Sequence, residues 1–345
     1  MGTSQAPARR HRIRNTILVL IPLLLIAAYA GVSVYAYSTL GPVSPHCPPD
    51  NGVVDIGEPA AFTINVTTKD GVKRTVDTTP FLMPAPQTVS FPARDDAAIS
   101  IAAWWLPAAA LDTPTVIVVH GQHGCRRNGG NLLVAGMLHR QGFAVLSIDM
   151  RNHGDSTVAD GQFAAGTDEY KDVLGAFDWL VTAGVPVARI GAFGFSGGSG
   201  AVLIAAGQEP RLTAVWADSP WSDLRVAIDY GLKSVAGLPS FFDLGVLAVG
   251  QIANGHPIGD ITPIAAAPKL AGQAVFLTSG ANDTRLGPGH VDALAAAISA
   301  AGGKAEIWIA PGADHTEAHF IYPAEYEQRL RVFFGSALGA SLVGS

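Results

Sequence analysis

The sequence predicts an α/β fold built on a mainly parallel sheet, and three observations predict it. From Thr115 onward short apolar runs alternate with helical patterns. Those runs are apolar on both faces rather than on one, as strands buried between helix layers must be. The residues able to carry chemistry cluster just after the runs, where parallel sheets gather their sites. At 345 residues and 48% hydrophobic, the chain is long enough for one large domain and an appendage.

The appendage comes first. Arg9, Arg10, Arg12 and Arg14 precede a run with no charged residue from Ile17 to Tyr37. Twenty-one helical residues at about 1.5 Å each cross a hydrocarbon core of roughly 30 Å. The basic flank keeps residues 1–16 in the cytoplasm, so the chain reads as single-pass in the cell membrane with its large domain outside. The alternative is secretion after cleavage following Ala30, because Ala28-Tyr29-Ala30 has the small-x-small form of a signal-peptidase site. Residues 38–60 are dense in proline and read as a tether.

Charge excludes one class of partner. The four arginines leave 18 basic against 28 acidic residues beyond position 49, so no nucleic acid is expected. Two cysteines, Cys47 and Cys125, exclude a disulfide-dense scaffold and allow a single bridge.

The large domain, 61–345, takes its elements in order. Ala61 to Thr68, Thr88 to Pro92 and Ile99 to Leu106 are rich in β-formers and read as antiparallel strands. TVIVVH (115–120) precedes a helix near Asn131 to Gln141, and FAVLSID (143–149) precedes one near Asp168 to Leu180. A strand from Ile190 runs into Ser196, and TAVWAD (213–218), AVFLTS (274–279) and AEIWIA (305–310) complete the alternation.

Gly194, Ser196 and Gly198 fit G-x-S-x-G, in which a serine sits on a tight strand-to-helix turn. The turn lifts the hydroxyl clear of the sheet and leaves the Gly197 amide, at a helix N-terminus, open to negative charge. A glycine-rich turn that only packs closely would look the same. After TVIVVH, the segment His120-Gly121-Gln122-His123-Gly124 can bring the Gln122 amide toward the serine as a second oxyanion donor. Asp283, four residues beyond AVFLTS, can accept the Nδ1 proton of a histidine, with Asp218 as the competing acid. His315, after the last strand, suits a general base, with His319 one helical turn on as the alternative. His120, His123, His315 and His319 also make two pairs with ligand-like spacing. Without HExxH or a cysteine cluster no metal is assigned, and the serine mechanism needs no cofactor.

With Ser196, Asp283 and His315 in that chain order, the sequence resembles the α/β-hydrolase superfamily from about Thr88 onward, and within it bacterial serine aminopeptidase and lysophospholipase-like hydrolases. His120-Gly121 is similar to the family's oxyanion loop. Asp149-Met150-Arg151-Asn152-His153-Gly154-Asp155-Ser156 is similar to its D-x-R-G-H-G-x-S segment, with Asn152 in place of a glycine. The resemblance implies an eight-stranded sheet with helices on both faces and a small cap. It also implies a serine hydrolase that cleaves an ester or amide through an acyl-enzyme. Residues 221–261 are the natural cap, over a small-molecule or lipid-like acyl group. An acyltransferase on the same triad, or a silent binding protein on the same fold, would share every residue named.

Overall fold

The computed structural model describes residues 6–43, 46–47, 56–68, 71–108, 112–234 and 237–339. Most of the proline-rich stretch between 44 and 55 lies outside the described residues. The chain opens with α1 (Ala6–Leu40), whose segment Arg14–Leu40 is long enough to cross a membrane and holds an 18-residue stretch of mean hydropathy 2.6. The helix runs past the charge-free segment to Leu40, and in its last turn Ser38 and Thr39 donate their hydroxyls to the Tyr35 and Ala36 carbonyls.

A two-stranded hairpin follows, β1 (Ile64–Thr67) and β2 (Lys73–Val76), paired Ile64 to Val76. The sequence reading found β1 and not β2, since KRTV carries no apolar alternation. Then come β3 (Gln87–Pro92), β4 (Ser100–Leu106), β5 (Thr115–Val119), α2 (Gly129–Arg140), β6 (Ala144–Ile148), α3 (Glu169–Thr182), β7 (Ile190–Phe195), α4 (Gly197–Gln208) and β8 (Ala214–Asp218). Between β8 and the next strand the chain makes α5 (Leu224–Ser234), α6 (Asp243–Asn254) and the short α7 (Pro263–Ala266). It closes with β9 (Ala274–Gly280), α8 (His290–Ala300), β10 (Ala305–Ala310), α9 (Ala318–Ile321) and α10 (Pro323–Leu338).

The main sheet has eight strands in the order β10-β9-β8-β7-β5-β6-β4-β3. Pairs from β10 to β6 are parallel, while β4 runs antiparallel to both β6 and β3. Every residue of β5, β6, β7 and β8 is buried, because helices cover both faces. Ile117 and Val119 point with Leu174, Phe177 and Leu203 into one core. Val116 and Val118 point with Leu133, Met137 and Phe334 into the other. Since β5, β7, β9 and β10 are parallel, their C-terminal ends share one rim. The loops after them carry His120, Ser196, Asp283 and His315.

Candidate active site

Ser196 ends β7 with φ +48° and ψ −113°, a conformation that residues with a Cβ rarely adopt. The turn closes only because both flanks are glycine. A Cβ on Gly194 would collide with the Gly198 carbonyl, and one on Gly198 with the His120 carbonyl. From the neighbouring strand the Asp218 carbonyl accepts the Ser196 N–H at 2.8 Å. The hydroxyl is left facing the rim.

Two loops bring an imidazole and a carboxylate to it. His315 Nδ1 lies 2.8 Å from Asp283 Oδ2, and His315 Nε2 lies 2.8 Å from Ser196 Oγ. A carboxylate only accepts, so Nδ1 carries the proton and Nε2 presents a lone pair to the hydroxyl. The other Asp283 oxygen accepts the N–H groups of Arg285 at 3.0 Å and Leu286 at 2.9 Å. Burial pushes the Asp283 carboxyl up, but His315 and those two amides outweigh it and hold it below the usual carboxylate range. Asp314 ties the loops together, accepting from the Thr284 and His315 amides at 2.7 Å each.

The two competing residues are elsewhere. Asp218 is fully buried behind the serine and takes hydrogen bonds from Tyr326 Oη at 2.6 Å and Ser219 Oγ at 2.9 Å. Burial pushes it up to about 6. His319 is packed among Phe195, Phe320 and Tyr326 with neither ring nitrogen hydrogen-bonded, and burial drives its pKa down to about 3. His120 and His123 sit on the loop before Cys125, and among the described residues no group of histidine, cysteine and acid side chains has the arrangement of a metal site.

The loop after β5 is held by its own histidine. Met150 N–H donates to His120 Nε2 at 3.0 Å, so Nδ1 bears the proton and donates to the Gly121 carbonyl at 2.7 Å. Gly124 N–H donates to the same carbonyl at 2.9 Å. In a trans peptide the N–H points opposite to the C=O, so fixing the Gly121 carbonyl aims the Gln122 N–H the other way. That direction faces the serine turn: a Cβ on Gly197 would come within 3.1 Å of the Gln122 nitrogen. Gly197 is the first residue of α4, with no carbonyl inside the helix for its amide. The two amides named from sequence therefore meet beside Ser196.

His153, in the Asp149–Ser156 segment, sets its Nε2 against the Gln122 carbonyl. Arg126, fully buried, pairs with Asp149 and reaches Asp155 at 2.5 Å. Asn152 takes φ +66°, where a glycine would be at ease. Its amide group bonds the Ala159, Asp160 and Gly161 amides and the Gln162 carbonyl, which fixes the following loop. That loop receives the end of α1: Phe163 N–H donates to Gly41, Val43 N–H to Gly161, and Tyr37 Oη to Gln162. The Gln122 side chain donates to the Leu40 carbonyl at the end of α1. Cys47 is disulfide-bonded to Cys125, three residues beyond Gln122. A cavity of about 490 Å³ opens beside Ser196 and His315, bordered by Gln122, Phe195, Phe320 and, from β1, Thr67.

The sequence reading named the serine, acid, base and both amides, and the structure brings all five together. It missed Arg126, His153 and the α1 terminus. For His153 the signal was the resemblance of residues 149–156, which gave a floor but not the carbonyl it grips.

The sequence profile of the X-Pro dipeptidyl-peptidase (S15) family matches residues 95–274. No curated protein matches the chain by sequence. In structure the chain is similar to an esterase of Pyrococcus furiosus, with TM-score 0.61, 22% identity and coverage of 76% of this chain and 94% of that one. A puromycin-hydrolyzing peptidase of Mycobacterium tuberculosis gives 0.59 at 18% identity, over 84% of this chain and 46% of that one. An acylaminoacyl peptidase of Pyrococcus horikoshii gives 0.55 at 17%, over 76% and 43%. At these identities the likeness speaks for the fold alone.

Proposed function

The chain is an α/β-hydrolase of the X-Pro dipeptidyl-peptidase (S15) family, and from that premise we propose a membrane-anchored serine hydrolase that cleaves an ester, or an amide, through an acyl-enzyme. The observation that carries the reading is the unbroken hydrogen-bond chain from Ser196 through His315 to Asp283. His315 takes the Ser196 proton as Oγ attacks the acyl carbonyl, and the charge that forms on Asp283's side is a paired imidazolium. The carbonyl oxygen, now negative, receives the Gln122 and Gly197 amides. His315 returns its proton to the leaving alcohol or amine. It then takes a proton from water as the water oxygen attacks the acyl-serine, and gives that proton to Ser196 Oγ as the C–Oγ bond breaks and the acid leaves. None of the described residues in 221–261, expected as a cap over the acyl group, borders the cavity; its aromatic wall, Phe195 and Phe320, is what favours an apolar ester over a peptide.

The anchor reading rests on α1. Residues Ile17 to Ala28 are apolar and exposed, and a basic flank precedes them. A disulfide suits the oxidising side of a membrane, which supports an outward domain. A fluorophosphonate probe tests the chemistry. Full-length protein labels, and Ser196→Ala does not; a folded wild-type chain that fails to label overturns the hydrolase reading. Intact mass of membrane-extracted protein tests the anchor, which a chain cleaved after Ala30 would refute.

A further inference from the structure

Helix α1 does not leave the bilayer as a bare stalk. Tyr29 stacks on Phe242 with ring centroids 5.1 Å apart and donates its hydroxyl to the Phe241 carbonyl at 2.9 Å. Gly245 lies against Ser33 and Gly250 against Tyr37, and Asn254 Nδ2 donates to Tyr37 Oη at 3.0 Å. These contacts rise together along both helices, so α6 runs parallel to the outer end of α1, its first turn beside Tyr29 and its last beside Tyr37.

The side of α6 turned away from the domain is apolar. Phe241 is 59% exposed, Leu244 57% and Ile252 80%, with Ala248 exposed between them. The only charged residue from 240 to 254, Asp243, is buried and paired with Arg225 at 2.7 Å. The charge-free run Ile17–Tyr37 spans a hydrocarbon core of roughly 30 Å, which sets its outer boundary near Tyr37. Ser33 then lies about 6 Å below that boundary, within the 5–10 Å depth of an interfacial apolar face. Leu244, next to Gly245, shares the level of Ser33; Phe241 and Phe242, beside Tyr29, lie deeper, and Ala248 falls between the levels of Ser33 and Tyr37. A water-facing reading would leave these side chains as one exposed apolar edge continuous with a membrane span.

We propose that the edge of the cap formed by Phe241, Leu244, Ala248 and Ile252 is seated in the outer leaflet beside α1. The occupant of this surface is lipid. The proposal rests on the uncleaved anchor and is independent of the triad.

Both native cysteines are in the disulfide, so one introduced cysteine gives a single thiol for a nitroxide. Full-length Leu244→Cys, Ala248→Cys, Ile252→Cys and, as the water-facing control, Val332→Cys on α10 are labelled in phosphatidylcholine and phosphatidylglycerol vesicles. At 244 and 248, collisions with oxygen exceed those with a water-soluble nickel chelate by about threefold relative to 332, and 252 falls between. Water-like values at 244 and 248 in a chain of intact mass overturn the leaflet seat and leave the anchor standing. Spin-spin broadening at those sites identifies a second copy as the occupant and likewise overturns it. A mass showing loss of residues 1–30 removes the anchor and the surface together.

Discussion

Asp283 uses its two oxygens differently. One is saturated by the Arg285 and Leu286 amides, so the side chain cannot rotate, and the other holds the His315 proton. In Asp283→Asn an amide donor faces Nδ1 and forces the proton onto Nε2, which then cannot accept from Ser196. We expect kcat to fall on the order of 10⁴-fold with little change in melting temperature, read from steady-state ester hydrolysis. The Asp283 pKa is depressed on folding, so its contribution to stability is present above the unfolded value near 3.9 and is lost as pH falls through the lower folded value. Denaturation between pH 5 and 3 should therefore weaken wild type more steeply than Asp283→Asn. His120 acts through the loop: His120→Phe leaves the Gly121 carbonyl held by the Gly124 N–H alone and should lower kcat about 100-fold with KM nearly unchanged. The serine, aspartate and histidine were legible because each is a reactive side chain just after an apolar strand. His153 and Arg126 were not, because one grips a backbone carbonyl that any residue supplies, and the other is a cation whose burial no local pattern announces.

Among the elements, α4 is the least forgiving. A methyl at Gly198 meets the carbonyl of His120 at the end of β5. Gly198→Ala should destabilise the fold by about 1–3 kcal/mol, seen in thermal unfolding, and abolish fluorophosphonate labelling. The segment after α6 is tied down by charge instead: His256 Nε2 lies 2.9 Å from Asp168 Oδ2, at the start of α3. Burial pushes His256 down, but the Pro257 carbonyl and Asp168 lift it above the ordinary imidazole value. A raised histidine stabilises fully below its unfolded pKa near 6.5 and loses that contribution as pH rises through the folded one. Hydrogen exchange at 255–260, corrected for intrinsic rate, should quicken between pH 6 and 8.5, and His256→Phe should lose this dependence. The strands were readable because TVIVV and AVWAD are apolar on both sides. The hairpin strand β2 was hidden by Lys73 and Arg74, and the last turn of α1 by Ser38 and Thr39.

Across the whole molecule, one covalent link joins the segment after α1 to the oxyanion loop. Cys47 and Cys125 are 78 residues apart. Closing a loop of that length restricts the unfolded chain by about 4 kcal/mol in the entropic account. Cys125→Ala should therefore lose about 2–4 kcal/mol in denaturant unfolding. Two cysteines in the sequence allowed this bridge without deciding it, since pairing depends on where the fold carries them. The docking of α1 was invisible for a similar reason: its partners are the Gln122 and Gln162 side chains, the Phe163 N–H and the Gly161 carbonyl, and nothing in an apolar run foretells them. That docking bears on how the protein is studied. A chain shortened to begin after Val43 for convenience in solution would leave Gln122 without its Leu40 acceptor and the 161–163 loop without its edge partners. Its turnover would describe a different catalyst, and comparing kcat/KM for one small ester between that fragment and the detergent-held parent measures how different.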